Sequence, residues 1–231
     1  MSAPPWSTGP APPARPEDAM PRTMRLPWVL LVLTVVSGLI DAVSYLGLGR
    51  VFTANMTGNV VVLGFATVGA PRFSVPLTAT SLGCFLVGAA AGGRLTSRVR
   101  RATRPTLVVE ALLVGASAAI ALAWPGHPGT RYALIALTAL AMGLRNATVR
   151  ALGVPDLTTT VLTMTLTGLA AESRLGSGTA NRSPRRAAAV LSMFTGACLG
   201  AWLVLHHGLG IPLLLAAVAS AALAVLTPER E

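Results

Sequence analysis

The sequence predicts an all-α integral membrane protein built from two similar halves, and three observations lead there. The 231-residue chain is 53% hydrophobic and 11% charged, with a mean hydropathy of +0.66, well above the range of soluble domains. Apolar runs of near-spanning length recur: Pro27–Tyr45, Val51–Ala70, Val75–Gly93, Thr106–Trp124, Tyr132–Leu144, Leu157–Ala171, Ala187–Leu205 and Ile211–Leu226. A bilayer core takes about 20 apolar residues as a helix, so the shorter runs suggest broken or re-entrant segments. Thirdly, similar stretches return about 105 residues apart. Gly38-Leu39-Ile40-Asp41-Ala42-Val43 in the first half answers to Gly143-Leu144-Arg145-Asn146-Ala147-Thr148 in the second. Each is followed by a polar, threonine-bearing stretch, then by a glycine-bearing helix with Gly83 and Gly88 or Gly196 and Gly200, and then by a closing apolar helix.

Along the chain, residues 1–25 hold seven prolines and read as a disordered cytoplasmic tail. Arg22 and Arg25 before an apolar run imitate a signal peptide. That run is long, contains Asp41 and lacks a small-x-small cleavage site, so it reads as a retained first helix. Met20 and Met24 are alternative starts. The first membrane repeat is expected over residues 26–124 and the second over 131–227.

Charge placement constrains the topology. The net charge is +10 and every one of the 18 basic residues is arginine, which fits a GC-rich codon bias. The arginines sit in short loops between apolar spans, where the positive-inside effect puts them without any nucleic-acid partner. Clusters occur at Arg22/Arg25, at Arg94/Arg98/Arg100/Arg101/Arg104 and at Arg174/Arg182/Arg185/Arg186. If all eight runs crossed the bilayer, these clusters could not share a side. Six full spans, with Val51–Ala70 and Leu157–Ala171 broken or re-entrant, bring both termini and all the clusters to the cytoplasm. The second half then enters opposite to the first, an inverted repeat of the kind found in secondary transporters. A straight bundle of seven or eight spans is the alternative.

The candidate site begins at Asp41. It lies 14 residues past Pro27, about 21 Å along a helix and within hydrocarbon depth. A carboxylate there costs about 2.5–3.5 kcal/mol on insertion scales, so it faces a protein interior or a watery cavity. Three roles fit: an ion or proton site or gate, a cap on a broken helix, and a partner for Arg145. Asn55, Thr57 and Asn59 supply side-chain oxygens, and Gly58 permits a positive φ or a close backbone approach. They suit either a cation or polar solute beside exposed helix ends, or hydrogen bonds between helices. Arg145, Asn146, Thr158, Thr159, Thr160, Thr163 and Thr165 would line the matching second-half element.

Other polar residues read as structural. Glu110 is expected to pair with Arg101 or Arg104 near the interface, Asp156 to cap the following helix, and Glu172 to mark a boundary beside Arg174. Cys84 and Cys198 read as small packing residues within helices. Gly83, Gly88 and Gly92, and Gly196 with Gly200, are spaced for close helix approach. His127, His206 and His207 fall in short loops, and no metal motif, nucleophile elbow or phosphate loop is present. No enzyme activity, cofactor or metal is therefore expected.

The run Gly38 to Gly64, with Asp41-Ala42 and Phe52-Thr53-Ala54-Asn55-Met56-Thr57-Gly58-Asn59, resembles the YoaK family of bacterial multi-pass membrane proteins, as does Gly143–Ala147 followed by Thr158-Thr159-Thr160. The likeness covers roughly Leu26 to Thr227. In this chain Arg145 stands where relatives suggest an uncharged polar residue such as Gln. The resemblance implies a bacterial inner-membrane location and no particular substrate, because the family is a domain of unknown function. Two functional classes follow from the residues. A small-solute or ion-coupled transporter predicts a polar site where the two repeats meet. A non-transporting interaction or assembly protein predicts a dry seam, and a channel is a third, less favoured class for want of a filter motif. The expected partners are the lipid bilayer and an unknown small solute or cation; a homo-oligomer stays open.

Overall fold

The computed structural model describes residues 25–99, 102–153, 162–173, 176–178 and 183–227. The proline-rich tail, Asp156, Thr158, Thr159, Thr160, Arg174 and Arg182 lie outside the described residues. The described residues form eight helices and no strand: α1 (Arg25–Gly47), α2 (Met56–Thr67), α3 (Val75–Arg98), α4 (Thr103–Ala123), α5 (Pro128–Ala151), α6 (Leu162–Ala171), α7 (Ser183–His207) and α8 (Gly210–Leu226). Five of them, α1, α3, α4, α5 and α7, are long and apolar enough to cross a membrane. The apolar α8 has 17 residues, while α2 and α6 have 12 and 10.

Each helix starts and stops where its sequence supplies the chemistry. Ser74 caps α3 by accepting the Leu77 N–H, with Pro76 in the first turn, where a missing N–H does no harm. Asn55 caps α2 through the Gly58 N–H. α1 ends as the chain passes into Gly49, whose φ of 100° suits a residue without a side chain.

The core lies along α1 and α5, where Ile40, Val43, Leu134, Ile135 and Met142 are wholly buried. Glycine lets the flanking helices approach. A methyl group on Gly88 or Gly92 of α3 would run into the α5 backbone at Leu140 or Leu144, and one on Gly143 into the α3 backbone at Phe85. On the other side of the bundle, Gly196 and Gly200 of α7 touch the α1 backbone at Val35 and Leu39, and Gly38 meets Met193 and Ala197. Gly83 meets nothing within 4 Å and Cys198 is exposed, so these two, expected to pack, face outward instead. Leu86, Leu112, Phe194 and Val225 are also outward-facing, and lipid rather than water suits such a surface.

The contacts fix helix direction. Gly88 to Leu140 and Gly92 to Leu144 advance together, so α3 and α5 are parallel; the same holds for α7 and α1. Glu110 bonds Ser220 and Arg145, while Gly210 lies against Leu122 and Thr106 bonds Thr148, so α4 runs antiparallel to both α8 and α5. A cleft of about 550 Å³ gathers Leu48, Ser74, His127 and Leu209 on one face. The helices α1, α4 and α7 therefore run toward this face, and α3, α5 and α8 away from it. It carries Arg50, Arg72 and Arg131, whereas Arg94, Arg98, Arg104, Arg150, Arg185 and Arg186 lie at the opposite helix ends.

Gly88→Ala should force α3 and α5 apart and destabilise the protein by about 1–3 kcal/mol, as overpacking does. Gly83→Ala, in open space, should leave the melting temperature in detergent unchanged. Equal effects of the two substitutions would contradict the packing described.

A polar cleft at the broken segment

The segment 48–55 leaves the end of α1 and dips back alongside it, reaching the depth of Asp41 six residues, or about 9 Å, below Gly47. A chain that folds back inside an apolar bundle leaves backbone groups that water cannot reach, and each needs a partner. Asp41 supplies one set. Its Oδ1 accepts the N–H groups of Thr53 at 3.0 Å and Ala54 at 2.8 Å. Asn59 supplies the other. It accepts the Phe52 N–H at 2.8 Å and donates to the Phe52 carbonyl at 2.5 Å. Asn59 also donates to Ser81 Oγ at 3.1 Å, and Ser81 donates to the same carbonyl at 2.6 Å, which ties α2 to α3. The Phe52 ring stacks on Tyr45, with centroids 4.8 Å apart, and fills the space beside Gly58.

Beside this segment opens a cleft of about 280 Å³ between α1, the start of α2, α6 and α7. Its polar lining comes from Ser37, Asp41, Asn55, Thr57, Gly58 and Thr163. Asp41 is 5% exposed, and its Oδ2 is buried with no hydrogen-bond partner among the described residues. The wall thus holds a carboxylate with one oxygen fixed by two amides, the Asn55 amide nearby, and the other oxygen without a hydrogen-bond partner among the described residues. Asn55, Thr57 and Thr163 are exposed along the same cleft.

Five of the sequence-predicted site residues therefore meet at one place: Asp41, Asn55, Thr57, Gly58 and Thr163. Asn59 does not join them, because it is wholly buried and used by the loop. Gly58 serves by close approach to the Phe52 ring, with no positive φ. Asn146 lies on α5, away from the cleft lining, and Thr159 and Thr160 are outside the described residues.

Arg145 is also elsewhere. It does not pair with Asp41: its Nη1 donates to Glu110 Oε1 at 2.9 Å, and its Nη2 donates to the Ser37 hydroxyl and to Met142 Sδ at 2.9 Å. Glu110 consequently does not form the interfacial pair expected with Arg104, and Arg101 lies outside the described residues. It is wholly buried, and the same oxygen accepts the Ser220 hydroxyl at 2.8 Å. The sequence reading missed this group because it spans four helices, and no spacing within one helix announces it. Glu172, expected to be a plain boundary residue, instead bonds Arg186 at 2.7 Å and fastens the end of α6 to α7.

Eight helices with apolar outer faces around buried polar groups define a polytopic α-helical membrane protein. The chain belongs to the family described as "Protein of unknown function (DUF1275)", whose profile matches residues 29–226. It is similar to the UPF0700 transmembrane protein YoaK of Bacillus subtilis (strain 168), with 32% identity over 149 residues, covering 61% of this chain and 64% of that protein. The chain thus spans just under two thirds of that relative's length in the match. No solved structure matches it.

Asp41→Asn keeps an oxygen for the Thr53 and Ala54 amides and should melt close to the wild type. Asp41→Ala strands both amides and should lower stability by about 1–3 kcal/mol, as should Asn59→Ala, which strands the Phe52 N–H and leaves the Phe52 carbonyl to Ser81 alone. Thermal melting of the purified variants in detergent checks the order. An Asp41→Ala protein as stable as Asp41→Asn would contradict the fastening role.

Proposed function

We propose that the protein is a small-solute or ion-coupled transporter of the bacterial inner membrane, with its binding site in the cleft beside Asp41. The observation that carries this reading is Asp41 Oδ2, without a hydrogen-bond partner among the described residues, at the wall of a cleft lined by Asn55, Thr57 and Thr163. A buried carboxylate persists in a membrane protein where it has work to do, and one with no direct ion-pair partner offers a place for a cation or a proton. The neighbouring hydroxyls and amide can replace part of a hydration shell. The reading assigns no enzyme chemistry to the chain.

The proposal includes an architecture of six crossing helices, with α2 and α6 as half-elements, related as an inverted repeat. Helix direction supports it: α1, α3 and α4 run opposite to their counterparts α5, α7 and α8. The pairing of α1 with α7 and of α5 with α3, each through glycines, is what a two-fold relation between halves would produce. The arginine-rich face is then cytoplasmic. A second reading, a non-transporting assembly protein, draws on the way Asn59 and Arg145 are taken up in bonds between helices.

Reconstituted wild-type protein is expected to move sodium ions or protons, followed with an ion-sensitive dye, when candidate solutes are added to the vesicles. Asp41→Asn should abolish that flux at unchanged protein level, since an amide cannot titrate or offset a cation's charge. A wild type and an Asp41→Asn protein equal in flux across the panel would leave the assembly reading. For the architecture, cysteines at Arg98 and Ser177 should react with an impermeant reagent from the same, cytoplasmic side. Labelling from opposite sides contradicts the inverted repeat.

A further inference from the structure

Three charges are buried inside the bundle: Asp41 on α1, Glu110 on α4 and Arg145 on α5, two carboxylates to one guanidinium. Both carboxylates are half used. Asp41 Oδ2 and Glu110 Oε2 are each buried without a hydrogen-bond partner among the described residues. Arg145 grips Glu110 through one nitrogen and one oxygen, and Ser220 shares that oxygen, so the two-pronged pairing open to an arginine and a carboxylate is not made. Its other terminal nitrogen rests on Ser37. Ser37 lines the cleft and precedes Asp41 by one helical turn on α1, a spacing that puts their Cβ atoms about 5–6 Å apart on one face. The guanidinium therefore lies behind the cleft wall and touches it through Ser37, one helical turn before Asp41.

Resting on the transporter reading above, we infer that Arg145 is the internal stand-in for a small monovalent cation at Asp41. With the cleft occupied, Arg145 stays on Glu110 and the bound cation neutralises Asp41. With the cleft empty, the guanidinium swings about its terminal torsions from Glu110 toward Asp41 and holds that charge. Ser37 is the step between the two positions. No bond to carbon forms or breaks; one hydrogen-bonded ion pair replaces another. The exchange is feasible because each carboxylate already keeps part of its partners, the amides of Thr53 and Ala54 for Asp41 and the Ser220 hydroxyl for Glu110. Neither is stripped bare when Arg145 leaves, which is the condition under which a buried charge is most costly.

The test uses the full-length protein in detergent, melted in sodium chloride, potassium chloride or choline chloride at matched concentration. Wild-type protein should melt higher in one of the alkali salts than in choline, and Asp41→Asn should lose that difference. Glu110→Gln removes the competing carboxylate, so Arg145 should settle on Asp41 and the salt response should shrink. Adding Arg145→Gln to Glu110→Gln should restore it. The same variants give a readout that needs no ligand. Asp41→Asn should be nearly silent in the wild-type background and should lower the melting temperature by several degrees in the Glu110→Gln background, because there it breaks a pair. An equal effect of Asp41→Asn in both backgrounds, or an undiminished salt response in Glu110→Gln, overturns the inference. A wild type that answers to neither alkali salt overturns the cation reading of the cleft, and the double-mutant comparison alone then judges Arg145. If Glu110→Gln does not accumulate, Glu110→Asp withdraws the carboxylate by one methylene and takes its place.

Discussion

Everything distinctive about this molecule follows from one constraint, that backbone returned to the interior of an apolar bundle must find its hydrogen bonds there. Two side chains meet it: Asp41 takes the amides of Thr53 and Ala54, and Asn59 closes both backbone groups of Phe52. In hydrocarbon each unmet group costs several kcal/mol, so these bonds hold the segment at depth. The segment in turn sets the start of α2, the placement of Asn55 and Thr57, and one wall of the cleft. Structure and candidate function therefore meet in Asp41, whose first oxygen builds the site and whose second is buried without a hydrogen-bond partner among the described residues.

A second polar centre lies deeper in the bundle. Arg145, Glu110, Ser37 and Ser220 come from four different helices, α5, α4, α1 and α8. Such a group fixes the rotation of each helix about its axis, which apolar contacts alone leave loosely specified when lipid and core are equally greasy. Ser37 belongs to both centres, and through it a change at the cleft has a physical route to the pairing of α4 with α5.

Much of the fold was legible in the sequence. The polar residues between Gly38 and Gly64 marked the break, because lipid tolerates Asp41 and Asn59 only where irregular backbone or a cavity needs them. The glycines at 88, 92, 196 and 200 marked close helix approaches, and the structure places each against a neighbouring backbone. The arginine placement singled out the runs that hold α2 and α6, which are helical for only 12 and 10 residues, whereas the short run Tyr132–Leu144 lies within the 24-residue α5. What escaped was anything that depends on helix phase. Gly83 and Cys198 sit in helices apolar on every side, so nothing in the sequence distinguishes their outward face from an inward one. The partner of Glu110 was missed for the same reason: the arginines nearest in sequence are at the helix end, while the one it meets is 35 residues on, in a helix that turns back beside it. Asn59 was grouped with Asn55 by adjacency, yet four residues along a helix that emerges from a loop separate a buried fastener from an exposed lining residue.

The central claim is that the space beside Asp41 is a watery, polar site and not a sealed seam between helices. Single cysteines at Thr57 and Thr163, on α2 and α6, in a protein whose Cys84 and Cys198 are replaced by alanine, test it most directly. Both should react with a small hydrophilic thiol reagent in the native membrane, while a cysteine at the buried, fastened Asn59-neighbouring Ser81 should not. Thr57 and Thr163 cysteines as inert as the Ser81 control would mean that no water reaches Asp41, and the account of a binding cleft would fail.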